Sequence, residues 1–224
     1  MSEAIQTQTP TVEQTLNRTD LGHSIFEHRK SFFGILIAVL LGTTGFVLWN
    51  QAKKNSALET SVRVFEFQSG TWTEAKAGKV TAPELLKAFE GLDESTQSAP
   101  VMLPIALEMG KFLFEKGNLA EADAILAKVY GKTKHPISLF FVGMQRVVIL
   151  EKLGNADGAI SILESLVQNK EVLMAAKLSV ELGRLYLIKG EKGKAQTQFE
   201  YVLSTFPNDD QAKLAKLYLS QLAK

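Results

Sequence analysis

A chain of 224 residues with no cysteine, three histidines and a formal net charge of +1 excludes several functions before any motif is read. Without cysteine there is no disulfide, thiolate nucleophile or cysteine-based zinc site, and His23, His28 and His135 give an imidazole triad or metal site little material. Basic and acidic residues balance, with no basic stripe, which argues against nucleic acid as the main partner.

Residues 1–20 are rich in Thr, Gln, Ser and Glu, and residues 1–30 read as a flexible tail. Ser31–Ala52 carries no charge, and its apolar part runs from Phe32 to Trp49. At 1.5 Å per residue that run reaches about 27 Å, near a ~30 Å hydrocarbon core. His28, Arg29 and Lys30 stand before it, Lys53 and Lys54 after it, and WNQAKK offers no small-x-small cleavage site. A buried soluble helix and a cleaved signal are the alternatives; the expectation is a single uncleaved transmembrane helix over residues 31–52. Gly34, Gly42 and Gly45 form no G-x-x-x-G pair. Arg18, Arg29 and Lys30 on one flank balance Lys53, Lys54 and Arg63 on the other, so charge leaves the orientation open.

Residues 53–100 are expected as a helical linker and amino-terminal helices. Leu58, Val62, Phe65 and at the margin Val64 share one side of a helix that either continues the first helix outward or packs as the first helix of the repeat domain. QSGTWTEAKAG then breaks the pattern at Gly70 and Gly78. Thr81-Ala82-Pro83-Glu84 starts a new helix carrying Leu85, Leu86 and Phe89, and DESTQSAP reads as a polar connector.

From Val101 the chain repeats, with units at about 103–136, 140–173 and 176–209 and a closing helix over 210–224. The turn glycines Gly117, Gly154 and Gly190 lie 37 and 36 residues apart. Ala122, Ala159 and Ala195 each follow five residues later, and Leu126, Leu163 and Phe199 one helical turn beyond. Small residues let paired helices approach closely and larger ones fill the space beside them. Such pairs cannot bury their apolar faces alone and stack, which predicts an all-α solenoid of antiparallel helix pairs with a carboxy-terminal cap. Asn208 or Asp209 would cap the closing helix, with Leu214, Leu217, Tyr218 and Leu222 packing inward.

The third unit resembles the tetratricopeptide pattern at Leu182-Gly183, Tyr186, Gly190, Ala195, Phe199 and Pro207. The first keeps Gly110, Gly117 and Ala122; the second keeps Gly154 and Ala159 but has Val147 for the first glycine and Leu150 for the tyrosine. Tail, anchor, helical linker and small repeat domain together resemble the YfgM-like ancillary subunits of the SecYEG translocon. That resemblance implies a bacterial inner-membrane protein with a cytoplasmic amino terminus and a periplasmic repeat domain. It would contact nascent envelope proteins beside the translocon and pass them to periplasmic chaperones. The alternatives are a membrane-tethered scaffold for division, wall synthesis or outer-membrane assembly, and an adaptor facing the cytoplasm.

No nucleophile elbow, phosphate loop, H-E-x-x-H or nucleotide-binding glycine motif occurs, so neither enzyme activity, a cofactor nor a small-molecule substrate is expected. Glu108 with Glu115, and Asp123 near Glu121, read as solvated face charges, and His135 as a surface loop residue. Carried onto this sequence, the tetratricopeptide groove implies Leu107, Lys111 and Phe114 in the first unit. In the second it implies Phe141, Met144, Val148 and Glu151, and in the third Val180, Arg184 and Leu187. The groove is mostly apolar, with Lys111 and Arg184 as polar handles. It suits an apolar protein segment, or is filled by residues 56–91 of the same chain.

Overall fold

The computed structural model describes residues 29–223 except 170 and 172, with side chains described from residue 37 onward. The expected tail up to residue 28, with His23 and His28, lies outside the described residues. Every regular element among those described is helical. Helix α1 (Arg29–Phe67) leads into a π-helical turn (Gln68–Trp72) and the short α2 (Thr73–Lys76). There follow α3 (Ala82–Glu90), α4 (Glu94–Gln97), α5 (Met102–Glu115), α6 (Leu119–Lys132), α7 (Pro136–Lys152) and α8 (Ala156–Gln168). The chain closes with α9 (Ala175–Ile188), α10 (Lys192–Thr205) and α11 (Asp210–Leu222). It divides into two compact units, residues 1–58 and 59–224.

The first unit corrects the membrane reading. Among the described residues no helix is long and apolar enough to cross a membrane. From Ile37 the apolar run ends at Trp49, about 20 Å of helix, against a hydrocarbon core of ~30 Å. Gly42-Thr43-Thr44-Gly45 interrupts that run, and Asn50, Gln51, Lys53 and Lys54 close it. The side chains of residues 31–36, the rest of the expected span, lie outside those described. The transmembrane helix over Ser31–Ala52, and the single-pass inner-membrane topology drawn from it, are not supported.

The second unit is a solenoid of helix pairs, in which each pair packs on the next. One stop signal recurs along it. Gly117, Gly154 and Gly190 end the first helix of their pairs at φ values of 81°, 74° and 77°. The next residue's N–H reaches back to the helix: Asn118 to Leu113 O at 2.9 Å, Asn155 to Leu150 O and Glu191 to Tyr186 O at 2.8 Å. This is the Schellman closure, which a side chain in the left-handed conformation would strain. Gly154→Ala is therefore expected to cost about 1 kcal/mol, lowering Tm by about 3 °C in a thermal melt.

The same signal stands at a fourth place. Gly78 has φ 74°, and Lys79 N–H donates to Glu74 O at 2.9 Å. Residues 59–76 and α3 thus form a further helix pair ahead of α5, where the sequence suggested a helical linker and amino-terminal helices without recognising a repeat. The π-helical turn carries the first helix of this pair through Gly70 instead of breaking it. The face buried is Val64 and Phe67, not Val62 and Phe65, which are exposed. Of the expected side only Val64, at its margin, turns inward; apolar spacing misplaced the rest because both faces of this helix carry apolar residues.

Local chemistry closes the pair. At the start of α3, Glu84 accepts from the Thr81 N–H at 2.8 Å and the Thr81 hydroxyl at 2.7 Å. The connector 93–100 contains α4, and Gln97 caps the end of α3 by donating to the carbonyls of Phe89 and Leu92 at 3.1 and 2.8 Å. Asp93 caps α4: it accepts from the Ser95 hydroxyl, from the Thr96 hydroxyl at 2.7 Å and from the Thr96 N–H at 3.1 Å, with Arg63 at 3.2 Å. The Ser95 and Thr96 hydrogen bonds hold its carboxyl well below the ordinary range. A depressed carboxylate contributes stability that is present above its unfolded pKa of ~3.9 and is lost as pH falls through the folded value. Asp93→Asn is expected to flatten the acid limb of stability below about pH 4 in urea melts.

Two apolar cores result. One holds Trp72, Leu85, Phe89, Met102, Met109, Leu113 and Leu126, the other Leu163, Leu178, Leu182, Ala195 and Phe199. Helix α11, capped by Asp209 accepting from Gln211 N–H at 2.8 Å, closes the second core with Ala212 and Ala215. Leu214, Tyr218 and Leu222 pack beside them, but Leu217 faces solvent, contrary to expectation.

Candidate protein-binding groove

The first helices of successive pairs, α5 and α7, lie side by side because small residues let their neighbours in. A Cβ on Gly110 would stand 2.7 Å from Leu126 Cδ1, and one on Gly183 2.5 Å from Phe199 Cε1. In the second pair the close approach has moved one turn from Val147. A Cβ on Gly143 would stand 2.9 Å from Leu166 Cδ1 and 3.1 Å from the Tyr130 ring, while Val147 is core. The tetratricopeptide spacing does not reveal that shift, although the GM dipeptide one turn upstream was visible. Ala122, Ala159 and Ala195 are fully buried on the second helices, and Pro207 stands exposed between α10 and α11. Tyr186 is buried and donates its hydroxyl to Glu164; burial, then this bond, pushes the phenol well above the ordinary tyrosine range.

Between α5 and α7 lies a pocket of about 280 Å³ lined by Lys111, Phe114, Glu115, Gln145, Val148 and Ile149. Lys111, Phe114 and Val148 belong to the set drawn from the repeat pattern; Glu115, Gln145 and Ile149 do not. Gln145 ties the two helices by donating to Leu107 O at 3.1 Å. Lys111 and Glu115 approach to 3.8 Å at the mouth. Leu107 is partly buried against the first core; Met144 and Leu187 are partly buried against the second. Phe141 is exposed, edge-on to Phe140 at 5.4 Å. Val180, expected in the groove, is a core residue instead, 1% exposed.

Arg184 is no free handle. Its Nη1 and Nη2 donate to the two oxygens of Glu151 at 2.9 and 2.8 Å, and its Nε to Glu181 at 2.8 Å. The Glu151 hydrogen bonds, with Glu181 adding to them, raise the guanidinium further above its ordinary value. The arrangement is a bidentate tie between α7 and α9, a use of Arg184 and Glu151 that i,i+4 spacing cannot disclose because the partners are 33 residues apart. Asp123 is likewise not a solvated face charge. It accepts from Arg146 Nε at 2.7 Å and Nη2 at 3.3 Å, and that guanidinium lies over Tyr130. Glu108 accepts from Lys76 and from the Trp72 indole, each at 3.4 Å.

Residues 59–91 do not line this pocket. Trp72 packs edge-on to Phe112 at 5.3 Å, on a different side of α5 from Lys111 and Phe114.

A family model described as a tetratricopeptide repeat-like domain matches residues 26–224. The chain belongs to that family. No curated protein matches it. Tetratricopeptide-like proteins are generally non-catalytic scaffolds, and the all-helical repeat fold of the described residues is consistent with that role. Among the described residues no group of three or more His, Asp or Glu side chains could hold a metal ion.

The finer resemblance is corrected. A YfgM-like translocon subunit requires the anchor, and the tetratricopeptide match reaches the repeat fold without supplying one. The periplasmic placement, the partnership with SecYEG, nascent envelope proteins and periplasmic chaperones, and the membrane-tethered scaffold alternative all rested on that helix. None of them is supported.

Proposed function

We propose that this tetratricopeptide-like protein is a non-enzymatic scaffold that holds an apolar segment of a protein partner in the groove between α5 and α7. The observation that carries this reading is the pocket itself. Phe114, Val148 and Ile149 present apolar surface in a concave site, and the chain's own amino-terminal pair stacks elsewhere. Aliphatic and aromatic side chains at a concave surface are where a partner's anchor residue gains most from desolvation. Glu151 and Arg184 serve by fixing α7 against α9, which holds the groove's shape. Lys111 and Gln145 supply the few polar contacts that orient a bound chain.

The test is site-specific photocrosslinking in cells from Lys111, with Lys213 on α11 as the control position. Val148→Asp places a charge in the pocket without emptying the core, since Val148 is 45% exposed. It is expected to reduce the partner adduct from Lys111 at least tenfold, about 1.4 kcal/mol of binding. An adduct that forms equally from Lys213, or survives Val148→Asp, would remove the groove from the function.

A further inference from the structure

Helix α1 exposes an apolar face that the repeat core does not use. Toward its end Thr60, Val64 and Phe67 are buried, whereas Val62 and Phe65 are 48% and 67% exposed. At about 100° of turn per residue the two sets lie on opposite sides of the helix. Leu58, 66% exposed, stands on the side of Val62 and Phe65. Every residue from Ile37 to Glu59 is exposed as well. A helix with this much unburied apolar surface calls for another surface to cover it.

The exposed face keeps a register of sevens. In heptad notation Val62 takes position a, with Leu58 and Phe65 at d. Counting back in sevens, Asn55, Leu48 and Leu41 fall at a, and Gln51, Thr44 and Ile37 at d. Apolar residues surround the helix between Ile37 and Trp49, so residues 50–67 select the register. There Leu58, Val62 and Phe65 are the exposed large apolar side chains.

Charge names the occupant. Lys54 falls at g and Glu59 at e. Five residues apart, they stand about 140° apart around their own helix and do not face each other. In a parallel two-stranded coil a g residue faces the e residue five places on in the other strand. Lys54 then meets the second copy's Glu59, and symmetry makes the pair twice. An antiparallel pair sets g beside g and loses the match. Asn55 adds a second signal, because a single Asn at a sets register and strand number where it meets its own counterpart. Gln51 donates to Asn55 Oδ1 at 3.4 Å along the seam, and the Asn55 amide N–H groups are left to donate across it.

We infer that α1 pairs with α1 of a second copy of this chain as a parallel coiled coil, with Leu58, Val62 and Phe65 in the seam and Lys54 bound to Glu59 across it.

The experiment uses the full chain, whose lack of cysteine lets single introduced thiols report the contact. Under copper–phenanthroline oxidation, Leu58→Cys and Val62→Cys are expected to form a covalent dimer at least tenfold faster than Lys53→Cys, which lies on the opposite side of the helix. Sedimentation equilibrium should give a dimer that Lys54→Glu weakens about tenfold and that Lys54→Glu with Glu59→Lys restores. Three results would each overturn the inference. A chain that stays monomeric up to about 100 μM leaves the seam to a different protein. Equal crosslinking from Lys53 and Leu58 reduces the contact to indiscriminate apolar association. A dimer indifferent to Lys54→Glu excludes the parallel register.

Discussion

Trp72→Ala is expected to lower stability by about 3–5 kcal/mol, with a Tm loss on the order of 10 °C. The indole is fully buried, packs edge-on to Phe112 at 5.3 Å, lies under Lys76 and donates to Glu108 at 3.4 Å. Truncation leaves a cavity between the amino-terminal pair and α5 that rigid helices cannot close. Trp72→Phe keeps most of the ring and should lose less than half as much. Thermal and urea melts by circular dichroism would measure both. A loss under about 1 kcal/mol for Trp72→Ala would mean that residues 59–91 are not part of the cooperative stack.

Gly183→Leu is expected to cost about 3 kcal/mol or more. Even a methyl there would stand 2.5 Å from Phe199, whose ring is fully buried and stacked on Tyr218 at 4.9 Å, so it has nowhere to turn. The control is Gly193→Leu in α10. No atom lies within 4 Å of a Cβ at Gly193, and the exchange gains helix propensity of about 1 kcal/mol at most. A Gly183→Leu, Phe199→Leu double variant should recover part of the loss, which separates the clash from any backbone effect. Equal melts for the Gly183 and Gly193 variants would remove close helix approach as the reason for this glycine.

Both predictions bear on what could be read from the chain alone. Gly183, Phe199 and the turn glycines announce the last three pairs because their spacing repeats and each has a single steric job. The first pair stayed hidden for physical reasons. Its turn glycine is 39 residues before Gly117, Leu85 replaces a small residue in its second helix, and the π-helical turn disguises Gly70 as a break. The groove was legible where position on a helix decides exposure, as at Lys111, Phe114 and Val148. It was not legible where partners distant in sequence decide it. Arg184 reads as a free cation until Glu151 is seen to hold it, and Val180 as lining until α9 is placed. The apolar run ending at Trp49 failed differently. Hydropathy over residues 32–49 sufficed for a span, whereas the described apolar run from Ile37 onward is interrupted by Gly-Thr-Thr-Gly and ends in polar residues, although the helix itself continues.

Helix α7 divides its buried side chains between the two cores, Val142 and Ile149 to one and Phe140, Val147 and Leu150 to the other. It alone among the described helices does so. A partial opening that frees either half of the repeat array therefore leaves α7 held by the half that remains. Its central amides should exchange with solvent deuterium only when the whole array opens, while those of α3 and α11 report the loss of one end. A segment seated against Val148 would grip the last helix to let go, so its binding would slow exchange on both sides of the groove at once.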